Sequence, residues 1–85
     1  AYNGYAYLRA DTYEGAAGLD ASFMTKGDEI LKVTSNDDKD RTTEGYASDL
    51  PVGTAIYATD MDGCLIAEVD GEDIVFVLFI ELSAI

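Results

Sequence analysis

The residues of this chain that could do chemistry are almost all carboxylates. Seventeen Asp and Glu stand against five Lys and Arg, and there is no histidine. Two carboxylates at the right separation can share acid and base duties, but so many acids in 85 residues single out no pair. The missing histidine removes the commonest general base and metal ligand. No G-x-S-x-G, P-loop or dinucleotide fingerprint is present. These absences assign no catalytic residue, no cofactor-binding residue and no cofactor, and the expectation is a non-enzyme.

Three smaller groups invite a sharper reading. Asp37, Asp38 and Asp40 sit in the polar stretch Asn36–Ser48 and suggest calcium. Counted from Asp38, however, the sixth position is Thr43 where an EF-hand loop needs glycine. A solvated, exposed and mobile loop is the reading adopted, with no metal ligand assigned. Cys64 is the sole cysteine, so no internal disulfide forms. Lacking a neighbouring base or cation, it reads as a small, partly buried hydrophobe. The tyrosines of Tyr5–Ala10 could stack on sugars or peptides, but strands favour Tyr as a ring that covers a core with its hydroxyl in water.

Charge narrows the partners. The formal net charge is -12, and all five basic residues (Arg9, Lys26, Lys32, Lys39, Arg41) precede residue 42. Such a surface repels nucleic-acid backbones and anionic membranes. A cationic partner is permitted, although acidity alone also serves solubility. The apolar run Ile74–Ile80 is far shorter than the ~18–20 residues of a membrane-crossing helix, so no membrane insertion is expected. The chain begins at Ala1, compatible with a signal or anchor removed by processing. Its length implies a single small domain, 1–85.

The elements that would position these residues centre on Leu50–Leu82. Asp62-Gly63 lies between Thr54–Asp60 and Cys64–Val69 and predicts a two-residue type I′ hairpin turn. That register opposes Met61 to Cys64, Ala58 to Ala67 and Ile56 to Val69. It gathers Ile56, Ala58, Leu65, Ala67 and Val69 on one apolar face and leaves Tyr57, Thr59, Ile66 and Glu68 on a mixed, half-wet one. The second turn, at Asp70–Asp73, has two or four loop residues. Either length puts Ile74, Phe76, Leu78 and Ile80 on the apolar face and Val75, Val77 and Phe79 on the reverse. A strand apolar on both sides belongs inside a sheet or under cover. Pro51 and Gly53 mark the start of the first of these strands.

Upstream, Tyr5–Ala10 alternates as a half-buried strand. Asp11–Thr25 reads as a loop with at most a short helical turn in Leu19–Thr25, since Gly15 and Gly18 interrupt the helical spacing. Phe23 and Met24 are expected to cap the meander. Lys26-Gly27-Asp28 reads as a turn before the strand Glu29–Ser35. Either Ile30 and Lys32 or Leu31 and Val33 point inward there, and the second choice keeps the charge outside.

Together these elements predict an all-β domain of about five antiparallel strands, curled into a small partial barrel with a C-terminal three-stranded meander. The alternative is α+β with one short helix in 16–25. Asn3-Gly4-Tyr5-Ala6-Tyr7, Gly27–Val33, the box Leu50-Pro51-Val52-Gly53-Thr54-Ala55-Ile56-Tyr57 and Leu65–Gly71 carry a resemblance. Over most of its length the chain resembles small modules of unassigned function in exported proteins and lipoproteins of Gram-positive bacteria. It departs from them in the insertion-like Asp11–Lys26 and in its apolar last strand. The resemblance implies an extracellular or cell-surface setting, a protein or cell-wall partner, and no catalytic residues. The expected role is a non-enzymatic interaction or accessory module of a cell-surface or secreted protein. The alternative is a self-assembling structural protein of a virion or surface layer. A monomer is favoured over a homodimer, because a curled sheet can cover its own central strand, with Leu8, Phe23, Met24, Leu31 and Val33 as lids.

Overall fold

The computed structural model describes residues 1–2, 4–12, 19–40, 43–48 and 50–81. Their strands are β1 (Tyr5–Arg9), β2 (Lys26–Lys32), β3 (Ala55–Thr59), β4 (Cys64–Val69) and β5 (Glu72–Glu81). All pair antiparallel in one open sheet, ordered β1-β5-β4-β3-β2. The all-β expectation and the C-terminal meander both hold. Helix among the described residues is confined to three-residue 3-10 turns at Ala10–Thr12, Ala21–Phe23 and Asp38–Asp40. The helical alternative in 16–25 shrinks, over its described part, to the turn Ala21–Phe23. Asp20 caps that turn, its Oδ1 accepting from the Ser22 N–H at 2.8 Å. Residues 16–18 lie outside the described residues, as does Leu82 at the end of the predicted last strand.

The two glycine turns of the meander differ. Asp70-Gly71 is a two-residue loop between the paired Val69 and Glu72, with φ of +52° and +79°. Positive φ at both positions is what a type I′ turn requires. At Asp62-Gly63 only the glycine has positive φ, which corrects the predicted turn type. Ile56 pairs with Ala67 and Ala58 with Leu65, a slide of two residues from the predicted register. The wider loop is held by the Thr59 hydroxyl, which donates to the Cys64 carbonyl at 2.8 Å and accepts from the Met61 N–H at 3.2 Å. Because the side-chain period of a strand is two, this slide leaves every residue on its predicted face.

Two long connections cover the two faces. β1 and β2, consecutive in the chain, form opposite edges of the sheet, and described residues between them pack on one face. There Ala10 and Met24 pack with Cys64, Ile66, Val75 and Val77, flanked by Leu19, Ala21, Tyr57 and Met61. Ile66 is 1% exposed, the most deeply buried large side chain described. The mixed, half-wet face is therefore a second core, because Ala10, Leu19, Ala21 and Met24 from between β1 and β2 pack on it. Of the predicted lids, Met24 serves on this face and Phe23 is 65% exposed, while Leu31 and Val33 serve on the opposite face. On the opposite face the segment between β2 and β3 supplies Val33, Leu50 and Ala47, which pack with Ile56, Leu65, Ala67 and Phe76. Leu31 pairs with Ile56 and Lys32 is exposed, as the charge argument required.

Both edges are irregular. Lys26-Gly27-Asp28, predicted as a turn, instead opens β2. Between Lys26 and Leu31, β2 runs five residues against three on β3, so its ladder contains two bulges. Bulges twist an edge away from further pairing, which is how exposed strands are protected from edge-to-edge association. At the other edge Ala6 pairs with Ile80 but Tyr7 with Leu78, making Phe79 the extra residue of a bulge in β5. Beyond it Ile80 shares the face of Ala6 rather than that of Leu78, which corrects the predicted parity of Ile80.

Candidate functional site

One row of side chains crosses the sheet from edge to edge. Tyr7 of β1, Phe76 of β5, Leu65 of β4, Ile56 of β3 and Leu31 of β2 share a face by pairing or by alternation along a strand. All five line a cleft of about 160 Å³. Tyr2 and the segment Gly45–Ser48 wall its mouth. Tyr2 is held by reciprocal 3.0 Å bonds with Tyr5. The Gly45–Ser48 wall was predicted to be a mobile loop, yet backbone bonds tie it on two sides. Thr34 N–H donates to Gly45 O and Ala47 N–H to Ser35 O, both at 3.0 Å, and Gly45 N–H donates to Ala1 O at 2.8 Å. Burial and the neighbouring Tyr2 and Tyr5 raise the pKa of the Tyr7 phenol, which keeps it protonated and able to donate.

A second surface lies at the far end of β5. Leu78, Phe79 and Ile80 are 42%, 54% and 37% exposed, while Val75 and Val77 earlier in the strand are buried. Phe79 was expected on the covered reverse face with those valines, but the bulge carries it out of their row. The turn after β3 abuts this strip: Leu78 N–H donates to Gly63 O at 2.7 Å. Exposed Glu81 follows the strip in sequence, and exposed Asp62 precedes Gly63, whose carbonyl takes the Leu78 N–H.

The acids singled out by sequence are used locally. Asp40 Oδ2 accepts from the Ser35 hydroxyl at 2.7 Å, and Asp37 Oδ1 accepts from the Lys39 N–H at 3.1 Å. The side chain of Asp38 is outside the described residues. Among the described residues no three His, Cys, Asp or Glu side chains gather as a metal site. Cys64 is buried beside Ile66, and burial raises its thiol pKa, so the thiol stays protonated and inert.

Lys26 is a feature that the sequence reading missed. Its Nζ reaches Asp73 Oδ1 at 2.9 Å and Glu68 Oε2 at 3.2 Å, and lies 4.5 Å from the centre of the Tyr57 ring. Glu68 and Asp73 are a directly opposed pair of like charges, an arrangement that destabilises a sheet unless a cation intervenes. No spacing in the sequence joins residues 26, 68 and 73. Tyr46 was missed as well; the sole clue is an aromatic next to glycine inside an otherwise polar stretch.

Comparison with models of protein families, with curated proteins and with solved structures found no match to this chain. No described helix is long and apolar enough to cross a membrane.

Proposed function

We propose that this chain is a non-enzymatic interaction module, an accessory part of a bacterial cell-surface or secreted protein. The observation that carries the reading is the exposed strip Leu78, Phe79 and Ile80 on a strand whose middle is buried. Three successive large apolar side chains, each more than a third exposed and with Leu78 and Ile80 on opposite faces, mark a strand end that another molecule covers. The partner is a protein segment that sets apolar side chains between lysines or arginines. Charge complementarity selects it, since Glu81 follows the strip, Asp62 precedes the Gly63 that bonds Leu78, and no basic residue follows Arg41 in sequence. Opposite charge at the rim would speed encounter and fix register, while the apolar anchors would supply affinity. The setting at the cell envelope rests on the resemblance carried by Leu50–Tyr57 and the flanking motifs.

The test is a titration of ¹⁵N-labelled protein with a short peptide of alternating lysine and leucine, beside oligolysine of the same charge. The expected result is saturable shifts at Leu78–Ile80 with the first peptide, weakened by salt and lost in the double variant Leu78→Ser/Phe79→Ser. Equal shifts with oligolysine, or none at the strip, overturn the reading.

The second reading is a self-assembling structural protein, and the same strip supports it, because Tyr5 on edge strand β1 is also exposed beside Glu81. Against it stand the like charges of two copies, -12 each. A wild-type mass in light scattering that rises with concentration and falls to one chain in Phe79→Asp would favour self-assembly; a constant single-chain mass removes it.

A further inference from the structure

The cleft is chemically unlike the rest of the molecule. One residue in five of the chain is Asp or Glu, yet among the described residues none lines the cleft. Among the described residues two that line it, Ala1 and Arg9, carry groups of positive charge, and both are engaged. The Arg9 guanidinium bonds Asp11 through Nε at 3.0 Å and through a terminal nitrogen at 3.1 Å, and the Ala1 nitrogen donates to the Tyr46 carbonyl. A cationic ligand would thus meet no described carboxylate inside the cleft. An anion would approach against a net charge of -12 and find both cationic groups already bonded. An ion taken into such a site without a partner loses far more hydration than it regains.

Size and lining narrow the class further. A cavity of about 150 Å³ walled by apolar side chains accommodates a benzene-sized molecule, and this cleft holds about 160 Å³. Three tyrosines and Phe76 contribute to its lining, and aromatic rings meet edge-to-face or offset at modest additional gain. The phenol hydroxyls add polar points to an apolar lining, the pattern by which small-molecule sites set orientation.

We propose that this cleft binds an uncharged, single-ring aromatic group, seated over Phe76 and Ile56 between Tyr7 and Tyr46. The ring is either a free small molecule or the side chain of a peptide. None of Leu78, Phe79 and Ile80 lines the cleft, so this inference goes beyond the interaction surface on β5, and either can fail alone.

The experiment titrates the labelled protein separately with p-cresol, benzylamine, benzoate and N-acetyltyrosinamide. Saturable p-cresol shifts are expected at Leu31, Ala47 and Ile56, with affinity at least 10-fold above that for benzylamine or benzoate. N-acetyltyrosinamide separates the sources: binding like that of p-cresol indicates a peptide side chain, and failure beside p-cresol binding indicates a free molecule. Ala47→Leu, which adds volume to the lining, should abolish the p-cresol shifts while the protein stays folded. Should that variant not fold, Tyr46→Ala decides, with an expected loss of at least 5-fold in affinity. Scattered or non-saturable shifts overturn the proposal, as does comparable binding of the charged analogues. Unchanged p-cresol binding in a folded variant overturns it too.

Discussion

Lys26 ties four strands together through one ammonium group. It stands on β2, spans the Tyr57 ring on β3 and ends between Glu68 on β4 and Asp73 on β5. The hydrogen bond that Lys26 donates to Asp73, assisted by the one to Glu68, raises the Lys26 pKa against a smaller opposing effect of desolvation. A lysine whose folded pKa exceeds its unfolded value of about 10.4 stabilises the fold fully below that unfolded value. The contribution fades as pH rises through the raised folded pKa. Lys26→Met keeps the stem over Tyr57 but leaves Glu68 facing Asp73 without a cation. The variant should melt below wild type at pH 7. The gap should narrow in high salt, which screens the bare carboxylate pair, and close above the folded pKa of Lys26. Melting curves of the two proteins at pH 7, 9 and 11 check this, and a gap independent of pH would mean that the loss does not come from the ammonium charge.

The elements were legible in the sequence where one short-range rule decides them. Alternation found β1, strand-like segments between turn residues found β3, β4 and β5, and Asp70-Gly71 located its hairpin because both residues tolerate positive φ. Legibility ended where distant residues decide. Nothing near Ile66 announces that Ala10 and Met24 cover it, so its face looked half wet. Nothing near Phe79 announces the bulge, which arises from pairing with Ala6 and Tyr7. The row lining the cleft was partly visible as an apolar face; Tyr46, its wall, was not. Two substitutions test what was missed. Ile66→Ala should cost about 2–5 kcal/mol in denaturant unfolding, the range for truncating a buried aliphatic chain; a half-wet face would give well under that. Gly45 has φ of +90°, and an added Cβ would lie 2.4 Å from Thr34 Oγ1. Gly45→Ala therefore combines a left-handed backbone penalty of about 1–2 kcal/mol with a steric clash. A mobile loop would absorb the change, whereas the tethered wall should lose at least that much stability and exchange protection at Thr34 and Ala47.

At the scale of the whole molecule, two forces of opposite sign act through the same charges. The described ion pairs Arg9–Asp11, Lys26–Glu68, Lys26–Asp73 and Lys32–Glu29 attract, and each involves partly or largely exposed groups. Exposed pairs contribute about 0–1 kcal/mol apiece and weaken in salt. Against them stands a net charge of -12 within extents of 33 × 26 × 20 Å. The Debye length is about 30 Å at 0.01 M salt, about 10 Å at 0.1 M and about 3 Å at 1 M. At the lowest of these, nearly every carboxylate senses every other across the molecule; at 0.1 M only near neighbours interact. Ion pairs at about 3 Å are screened less steeply over that interval than repulsion spread over tens of ångströms. The melting temperature at pH 7 should consequently rise between about 0.01 and 0.1 M sodium chloride and level off by about 1 M, as the Debye length falls below the spacing of neighbouring acids. Potassium chloride should give the same curve, since screening depends on ionic strength and not on the cation. A flat or falling curve would mean that the few ion pairs outweigh the general repulsion. A rise specific to one cation would mean that a carboxylate cluster binds that ion.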